Sequence, residues 1–492
     1  MAIANLLFSF TLFLLDRYDK VYFDQFLYLL KTSSAGAEQD FAIWGTVSVI
    51  LFAALLSCID ILLYRLLSGN FYDKLQCSRR YIKFCAGKLC TYFKNHALPL
   101  AISLMVLSSA FFVVSLDVIA YVDNISTDSD FIENNYVEPR EELLLFPEQP
   151  RNLIYIFLES MESSFADKQS GGAFDDNYIK ELTRLANDNI SFSNTELLGG
   201  ALSYYGTTWT AGAMVSQTSG VPVKVPLEAD SYGGENEYMP GIVSLGELLQ
   251  DHGYKQLLLI GSDAEFAYRD SYFTEHGGYE IVDIKSLKES GRLPEDYREW
   301  WGYEDSKLFE FAKQELTALY DGGEPFNFTM LTADTHFPDG YPCPECKQEF
   351  DSQYANVIAC SSSQVFAFVE WICEQPFYEN TTIIISGDHL TMDPSLVESI
   401  NEDYTRTTYN CFINAAKTPH ATSNRLFGSF DMLPTTLSAL GVYITGDRLG
   451  LGTDLFSNSP TLTEIYGYEY IDEQIQMNSV FYNKTFLHLE NK

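Results

Sequence analysis

Four short apolar runs after residue 150 each end in an acidic residue, and two of them add a histidine. The acids are Glu159, Asp263, Asp334 and Asp388, and the histidines are His336 and His389. One acid at such a point is usually a cap or a turn residue. Four such ends, with Asp388 and His389 adjacent, offer the carboxylate and imidazole ligands that Mn²⁺, Zn²⁺ or Mg²⁺ can use. The sequence therefore predicts a site for a divalent metal.

The same apolar runs indicate the fold that must position these side chains. Residues 152–159, 256–263, 326–334 and 381–388 have the composition of strands buried on both faces. Amphipathic segments lie between them, at Asp176–Asn187, Ser244–His252, Ser306–Tyr320 and Ser363–Cys373. This alternation predicts an α/β domain with a mostly parallel sheet sandwiched by helices. Because such sheets bind ligands at the carboxyl ends of their strands, the acids and histidines should converge there.

The sequence contains no H-E-x-x-H, no P-loop and no G-x-S-x-G motif, so none of these common catalytic arrangements applies. What remains is a metal that activates a hydroxyl and polarises a phosphoryl oxygen. The candidate segment is residues 206–222, GTTWTAGAMVSQTSGVP, with Thr207, Thr208 and Thr210. By composition alone an ordinary helix-capping loop is the better interpretation of this segment.

Five blocks, taken in order, resemble the phosphoglycerol transferases of the alkaline phosphatase/sulfatase superfamily. This group includes the lipoteichoic acid synthases and the membrane enzymes that decorate periplasmic glucans. The blocks are NLIYIFLESMESSF, GTTWTAGAMVSQTSGVP, LTADTHFPDGY, SGDHLTMDPS and ITGDRLGLGTDLFS, and the similarity spans roughly residues 150–457. The resemblance implies transfer of phosphoglycerol from phosphatidylglycerol to a glycan or polyglycerolphosphate acceptor, through a covalent glycerophospho-threonine intermediate.

The resemblance also assigns roles to residues. It implies that Thr210 is the nucleophile and that Glu159, Thr210, Asp388 and His389 hold a divalent metal, most readily Mn²⁺, with Mg²⁺ or Zn²⁺ as alternatives. His336 would lie near the phosphoglycerol, where it orients the glycerol or moves a proton. Thr207 and Thr208 are weaker nucleophile candidates.

Arg269 matches an arginine that contacts phosphate in the lipoteichoic acid synthases. A surface ion pair with Asp270 or Glu265 is an equal alternative for this residue. The Cys/Ser-x-Pro-x-Arg motif of sulfatases is missing at Thr210, which disfavours sulfate ester hydrolysis. Two other functions stay open: a phosphoethanolamine transferase of the same superfamily, and a catalytically inactive relative that binds glycan or lipid.

Two long apolar runs, residues 41–64 and 98–121, are each long enough to cross a bilayer. A shorter run, residues 2–15, has a signal peptide as the alternative interpretation, but no basic residues precede it and no small-residue cleavage site follows. We interpret it as a retained third span. The loop at 67–96 is basic, so the positive-inside rule makes it cytoplasmic. We therefore expect a membrane anchor at 1–121, a linker at 122–150 and a catalytic domain at 151–492. That domain would be extracytoplasmic, on a multi-pass protein of the bacterial cytoplasmic membrane.

The charge of the chain is unevenly distributed. The chain has 31 Lys and Arg against 67 Asp and Glu, a formal charge of −36; residues 1–120 carry +2 and the rest −38. So acidic a region cannot bind nucleic acid in general, because phosphate backbones need basic side chains. An acidic domain that handles an anionic lipid also needs local positive charge, which a bound metal would supply.

Five cysteines fall in the predicted extracytoplasmic region: Cys343, Cys346, Cys360, Cys373 and Cys411. The first two form a C-x-x-C motif. Without a second C-x-x-C a zinc knuckle is disfavoured, and without a thioredoxin-like context redox catalysis is disfavoured. The resemblance to the glucan enzymes implies a disulfide between Cys346 and Cys360, with Cys343 as a competing partner.

Overall fold

The computed structural model describes residues 1–17, 23–31, 39–67, 80–226 and 237–489. The chain forms two compact units, one made of Met1–Phe23 and Glu38–Val122, the other of Asp24–Ala37 and Asp123–Lys492. A short segment near the N-terminus therefore belongs to the larger unit, although it lies in sequence between the two parts of the smaller one.

Long apolar helices make up most of the smaller unit. The first five helices of the chain are α1 (Ala2–Arg17), α2 (Phe23–Lys31), α3 (Gln39–Leu67), α4 (Arg80–Ser115) and α5 (Val118–Ile125). Helix α1 packs against α3 and α4, and Asn5 donates hydrogen bonds to Oδ2 of Asp60 at 2.8 Å and to Oγ of Ser57 at 3.1 Å. The acid in the first long apolar run is therefore paired within the unit.

Two stretches in this unit, Gly45–Tyr64 and His96–Ser115, are long and apolar enough to cross a membrane. The second apolar run, residues 98–121, was predicted as one continuous span, but it is divided between α4 and α5. Helix α4 ends at Ser115, and Asp117 adopts a left-handed φ of 50°, which Asp tolerates better than most residues. The predicted loop at 67–96 is helical from Arg80 onward, and its residues 68–79 lie outside the described chain.

The larger unit carries the remaining elements. Its further helices are α6 (Phe131–Asn135), α7 (Lys180–Asp188), α8 (Thr210–Ser219), α9 (Leu245–Asp251), α10 (Arg269–Glu275), α11 (Ile284–Glu289), α12 (Asp305–Gly322), α13 (Gln353–Cys373), α14 (Pro394–Val397), α15 (Met432–Ala439), α16 (Leu462–Tyr466), α17 (Tyr468–Gln476) and α18 (Val480–Thr485). Its strands are β1 (Leu144–Leu145), β2 (Asn152–Leu158), β3 (Lys255–Ile260), β4 (Glu280–Val282), β5 (Phe326–Leu331), β6 (Thr381–Gly387), β7 (Asn410–Ile413), β8 (Tyr443–Ile444), β9 (Arg448–Leu449) and β10 (Gly452–Thr453).

The central sheet has six strands in the order β4-β3-β5-β2-β6-β7. All neighbouring pairs are parallel except β6 and β7, which are antiparallel. The α/β fold with a mostly parallel sheet is confirmed. The four predicted strands are present as β2, β3, β5 and β6. The sheet also contains β4 and β7, edge strands of three and four residues that the sequence pattern did not predict.

Side chains on alternate positions of each strand enter two separate cores, one on each face of the sheet. Strand β2 shows this directly: Tyr155 and Phe157 lie in one core, and Ile154 and Ile156 lie in the other. Helices α8, α9 and α15 cover the first face, and α7, α12 and α13 cover the second. Helix α13 is also apolar enough to span a membrane, but 56% of its most apolar stretch is buried inside this unit, which identifies it as a core helix.

Most of the segment predicted as a linker, residues 122–150, is folded, with α6 and β1 inside it. From Asp123 onward this segment is part of the larger unit. Phe131 and Ile132 are buried in its core, and β1 pairs with β8 through Leu144 and Ile444. The polar composition of residues 122–135 suggested an unstructured connection, because these few apolar anchors do not form a periodic pattern.

Candidate metal and nucleophile site

Two neighbouring strands bring the first candidate ligands together. Leu158 pairs with Gly387 at the last position of the parallel β2–β6 ladder, so the residues that follow both strands leave the sheet side by side. These residues are Glu159, Asp388 and His389, and each is only 2% exposed. The approach is close, since a Cβ at position 387 would lie 2.0 Å from the carbonyl oxygen of Met161. Only glycine fits there.

The ligand atoms of Glu159, Asp388 and His389 all lie within 4.8 Å of one another. Oδ1 of Asp388 accepts the backbone N–H groups of Ser160 and His389, both at 2.7 Å. Among the described residues, no group donates to the buried Oδ2 of Asp388. Nδ1 of His389 donates to the carbonyl of Leu390 at 2.8 Å, which leaves Nε2 as the acceptor on the side of the carboxylates.

This donor set fits a divalent cation. Nε2 of His389 lies 3.5 Å from Oε1 of Glu159 and 3.5 Å from Oδ2 of Asp388. Burial, followed by the charge of Glu159, raises the pKa of Asp388 to about 8. Burial acts in the same direction on Glu159, but His336 and His389 lower its pKa below the ordinary value. Two buried carboxylates and an imidazole nitrogen at these spacings match Mn²⁺ or Zn²⁺ chemistry, and a cation would offset their repulsion.

Thr210 places a hydroxyl at the edge of this cluster. It is the first residue of α8, preceded by Trp209 in an extended conformation. Its Oγ1 donates to Oε2 of Glu159 at 3.2 Å and lies 3.4 Å from Nε2 of His389. The other two candidates face elsewhere. Thr207 caps the turn at Tyr204, and Oγ1 of Thr208 accepts a hydrogen bond from Gln25.

The Gly- and Thr-rich segment, residues 206–222, contains helix α8 and places Thr210 at its first position. The helix begins at Thr210 and ends where Gly220 adopts a left-handed φ of 69°. Thr210 therefore stands at the positive end of a ten-residue helix, where unpaired backbone N–H groups favour an anion. The segment does form the start of a helix, as its composition suggested, and that start faces the cluster.

Comparison with known protein families shows to which family the chain belongs. The family model described as Sulfatase matches residues 151–442, from β2 to the turn before β8. The chain belongs to the sulfatase family. It is similar to the protein named phosphoglycerol transferase I from Escherichia coli O139:H28, with 30% identity over 346 residues, 69% of this chain and 43% of that relative. The chain thus spans less than half the length of the curated relative it matches. The predicted relationship to phosphoglycerol transferases is confirmed.

Solved structures show the same fold as this sulfatase-family chain. A protein in the alkaline phosphatase superfamily from Vibrio parahaemolyticus matches with a TM-score of 0.52 and 17% identity, covering 73% of this chain and 95% of that one. The integral membrane protein lipooligosaccharide phosphoethanolamine transferase A from Neisseria meningitidis matches with a TM-score of 0.50 and 12% identity, covering 92% and 87%. These matches confirm the predicted alkaline phosphatase/sulfatase-like fold.

Two acids at strand ends do not join the ligand cluster of the sulfatase domain. Asp263, after β3, forms an ion pair with Lys285 at 2.9 Å. Asp334, after β5, accepts the backbone N–H of Asp305 at 3.2 Å. Sheet order explains Asp263, because β3 is separated from β2 by β5. Strand β5 does lie beside β2, but Asp334 comes three residues after Leu331, the last residue of β5, whereas Glu159 and Asp388 directly follow their strands. Spacing in the sequence does not reveal strand order, so all four ends were equal candidates.

His336 and Arg269 lie near the cluster without belonging to its ligand set. Burial lowers the pKa of His336, and the charge of Glu159 opposes this, which places the two side chains within electrostatic range. Its Nδ1 donates to the carbonyl of Phe337, and Trp301 packs on the ring with centroids 4.5 Å apart. Sequence reasoning missed Trp301, which belongs to no motif.

Arg269 is buried, with 6% of its surface exposed, so the alternative of a surface ion pair is wrong. Its Nη2 donates to Oγ of Ser262 and to the carbonyl of Asp263, and its Nε donates to the carbonyl of Phe266. Burial lowers the pKa of Arg269, and the charge of Glu159 is the largest influence that opposes this. The charges of Arg269 and Glu159 therefore act on each other.

A buried ion pair supports the loop after Asp388, and sequence reasoning missed this as well. Arg406 donates to both carboxylate oxygens of the fully buried Glu162, through Nη2 at 2.6 Å and Nε at 3.0 Å. Oε1 of Glu162 also accepts the backbone N–H of Thr391. Glu162 belongs to the ESMES segment after β2, whose acidic residues could have marked it as a candidate for a role near the site. The sequence around Arg406 gives no indication that this arginine pairs with Glu162.

Helix α2, near the N-terminus of the chain, packs against Trp209, the residue before Thr210. Tyr28 is 1% exposed, and its ring lies 5.3 Å from that of Trp209. Its hydroxyl donates to the carbonyl of Ala267 at 3.0 Å and lies 2.9 Å from the hydroxyl of Tyr238. The larger unit therefore includes a segment that lies before the predicted domain boundary at residue 151.

The disulfide expected between Cys346 and Cys360 is not formed, and all three cysteines of this cluster are free thiols. Sγ of Cys343 lies 3.6 Å from that of Cys346 and 3.7 Å from that of Cys360. These distances far exceed the ~2.05 Å of a disulfide bond. All three sulfurs lie within 4.8 Å of one another, so Cys343 belongs to the same cluster as the two predicted partners.

Proposed function

We propose that this chain is an enzyme that transfers phosphoglycerol from phosphatidylglycerol to a glycan or polyglycerolphosphate acceptor, through a covalent intermediate on Thr210. The observation that carries this proposal is the position of Thr210, whose Oγ1 lies 3.2 Å from Oε2 of Glu159 and 3.4 Å from Nε2 of His389. A hydroxyl at hydrogen-bond distance from a three-ligand cluster is the arrangement of an activated nucleophile. The name of the E. coli relative supports phosphoglycerol as the transferred group.

Glu159, Asp388 and His389, together with Oγ1 of Thr210, would hold the divalent metal, and Mn²⁺ suits this mixed oxygen and nitrogen set. A cation there lowers the pKa of the bound hydroxyl and reduces the negative charge that an anionic phosphodiester meets in an acidic domain. The orphaned Oδ2 of Asp388 is the part of the site that most needs such a partner.

The reaction proceeds in two in-line displacements. In the first, Oγ of Thr210 forms a bond to phosphorus, the bond from phosphorus to the diacylglycerol oxygen breaks, and diacylglycerol leaves with a proton. In the second, an acceptor hydroxyl forms the new bond to phosphorus, the bond to Oγ of Thr210 breaks, and the threonine regains a proton. The start of α8 presents backbone N–H groups that stabilise the phosphoryl oxygens in both steps.

His336 and Arg269 complete the site on the substrate side. Burial lowers the pKa of His336, which favours the neutral ring, and a neutral ring can accept a proton or a hydrogen bond from the glycerol. Arg269 adds positive charge close to Glu159, where it would balance a phosphoryl group. In this proposal the smaller unit anchors the chain in the cytoplasmic membrane, and the catalytic unit works outside the cell, next to its lipid donor.

Incubation of the full-length protein in detergent with Mn²⁺ and lipids labelled in the headgroup tests the proposal. We expect diacylglycerol release from phosphatidylglycerol, and a phosphoglycerol adduct on the peptide that contains Thr210. Thr210→Ala should abolish both signals, while Thr208→Ala, a neighbouring hydroxyl outside the cluster, should retain both.

Two results would overturn this assignment. Diacylglycerol release from phosphatidylethanolamine alone would identify a phosphoethanolamine transferase. Full activity of Thr210→Ala, with no adduct on the wild-type protein, would exclude the covalent mechanism at this threonine.

A further inference from the structure

The three free thiols of Cys343, Cys346 and Cys360 have the spacing of metal ligands. Two sulfur atoms at 2.3 Å from one zinc ion, in tetrahedral geometry, lie about 3.8 Å apart. The observed separations from Cys343 are 3.6 Å and 3.7 Å, and all three sulfurs lie within 4.8 Å of one another. Cys343 and Cys360 are buried, and Cys346 is half-buried.

The C-x-x-C segment also has the backbone of a metal-binding turn. The N–H of Cys346 donates to the carbonyl of Cys343 at 3.0 Å, which closes a tight turn between the two thiols. The third thiol comes from a different element, since Cys360 lies on α13, seventeen positions after Cys343 in the sequence. The fold brings this third thiol to the C-x-x-C segment, so a second C-x-x-C motif is not required.

Gln364 provides a fourth donor. It lies one turn after Cys360 on α13, and its amide group is 3.2 Å from Sγ of Cys360 and 3.5 Å from Sγ of Cys343. In the orientation shown, the nitrogen faces the thiols, and no described group donates to its buried Oε1. Rotating the amide by half a turn exchanges the two atoms. The oxygen then faces the thiols at about the separation expected between ligands of one tetrahedral ion.

We propose that Cys343, Cys346, Cys360 and Gln364 form a structural Zn²⁺ site, separate from the Glu159, Asp388 and His389 cluster. Three thiolates and one amide oxygen suit Zn²⁺, and no position is left open for substrate. A surface cleft of about 90 Å³ lined by Cys360 and Gln364 gives the ion a route from solvent.

The position of the site explains what it does for the fold. His336 lies in the stretch between β5 and α13, which has no regular secondary structure, and Cys343 and Cys346 lie farther along the same stretch. A zinc ion bound also by Cys360 ties the end of this stretch to a core helix. The site therefore stabilises the segment that carries His336 without taking part in the reaction.

Metal analysis and cobalt spectroscopy of the full-length protein test this proposal. Asp388→Asn removes a ligand of the other cluster, and we expect this variant to retain one zinc ion per chain after dialysis against a mild chelator. Cys343→Ser and Cys360→Ser should retain none, and Cys373→Ser, which changes an exposed cysteine, should behave as the wild type. In Co²⁺-loaded protein we expect a thiolate-to-cobalt charge-transfer band, which oxygen and nitrogen ligands cannot produce.

The cobalt band is measured on chains that retain all three thiols, so it does not depend on the folding of any cysteine variant. Two results would overturn the zinc site. One is a wild-type protein without the charge-transfer band. The other is the mass loss of a disulfide within the peptides that contain Cys343, Cys346 and Cys360. Neither result would alter the expected release of diacylglycerol, so the two proposals fail independently.

Discussion

Oδ1 of Asp388 accepts the backbone N–H of Ser160 at 2.7 Å, which joins the end of β6 to the end of β2. Ser160 adopts a left-handed φ of 53° at this point, and its hydroxyl donates to Oε1 of Glu159. The contact fixes Asp388 through one oxygen and leaves the other to face Glu159 and His389. The ligand geometry is thus built into the backbone before any ion binds.

The first prediction concerns metal affinity. Asp388→Asn retains the oxygen that accepts the N–H of Ser160 but replaces the anionic Oδ2 by an NH₂ group, which cannot bind a cation. We expect the dissociation constant for Mn²⁺ to rise more than about 100-fold, because loss of a supporting partner alone costs about 10- to 100-fold. Calorimetric titration of metal-free protein measures this effect.

The control is Asp263→Asn, which changes an acid at the equivalent point of β3. Asp263 pairs with Lys285, outside the ligand cluster, so Mn²⁺ affinity should be unchanged. Equal losses of affinity in the two variants would contradict the assignment of Asp388 as a ligand.

The second prediction concerns the ion pair of Glu162 and Arg406. Arg406→Met leaves a fully buried carboxylate without its charge partner, which costs about 3–5 kcal/mol. We expect the thermal midpoint of the catalytic unit to fall by several degrees, measured by tryptophan fluorescence. Adding Glu162→Gln removes the charge and retains an oxygen for the N–H of Thr391, so the double variant should recover most of the loss. A double variant less stable than Arg406→Met would contradict this account.

Much of the fold follows from the sequence because its signals are local. The runs that become β2, β3, β5 and β6 are short and apolar, and their alternation with amphipathic helices determines a parallel sheet. Edge strands β4 and β7 have three and four residues, too few to give a pattern. The segment after Asp123 was missed because Phe131 and Leu144 are isolated anchors in a polar stretch.

The site was harder to predict because it depends on which strands are neighbours. Glu159 and Asp388 come together because β2 lies beside β6, and Asp263 is excluded because β5 separates β3 from β2. Strand β5 is also a neighbour of β2, but it ends three residues before Asp334, which the apolar run does not reveal. Contacts between distant segments, such as Glu162 with Arg406 or Cys343 with Cys360, leave no trace in local spacing. The resemblance to a family supplied Thr210, which composition alone assigned to an ordinary capping loop.

The third prediction concerns pH. Burial, and then the charge of Asp305, raise the pKa of Asp334 from the ordinary 3.8 to about 10. The folded chain therefore holds a proton that the unfolded chain releases above about pH 4, and stability is lost as the pH rises toward 10. Asp334→Asn mimics the protonated form and retains an oxygen for the N–H of Asp305. We expect its stability advantage to grow with pH, by up to about 1.4 kcal/mol per pH unit.

Thermal midpoints of both proteins between pH 5 and about 9 test this sign. Asp176→Asn, which changes an exposed acid, should follow the wild type across the whole range. If Asp334→Asn were most stabilising at low pH, Asp334 would be ionised in the fold and the sign would be reversed.

The fourth prediction concerns helix α2 and the nucleophile. Tyr28 fills a buried position against Trp209, which precedes Thr210, so its ring supports the start of α8. Tyr28→Ala removes a fully buried aromatic side chain and should destabilise the catalytic unit by about 3–5 kcal/mol. Tyr28→Phe retains the ring and loses only the hydroxyl contacts with Ala267 and Tyr238, for about 1–3 kcal/mol.

Diacylglycerol release and the thermal midpoint should therefore both decrease in the order wild type, Tyr28→Phe, Tyr28→Ala. Tyr443→Ala is the matched control, because its side chain is 58% exposed and faces no catalytic element, and it should leave both measurements unchanged. A Tyr28→Ala protein with the stability and activity of the wild type would show that α2 is not docked on the catalytic unit. A loss of activity larger than the loss of stability explains would show that Tyr28 positions Thr210 through Trp209.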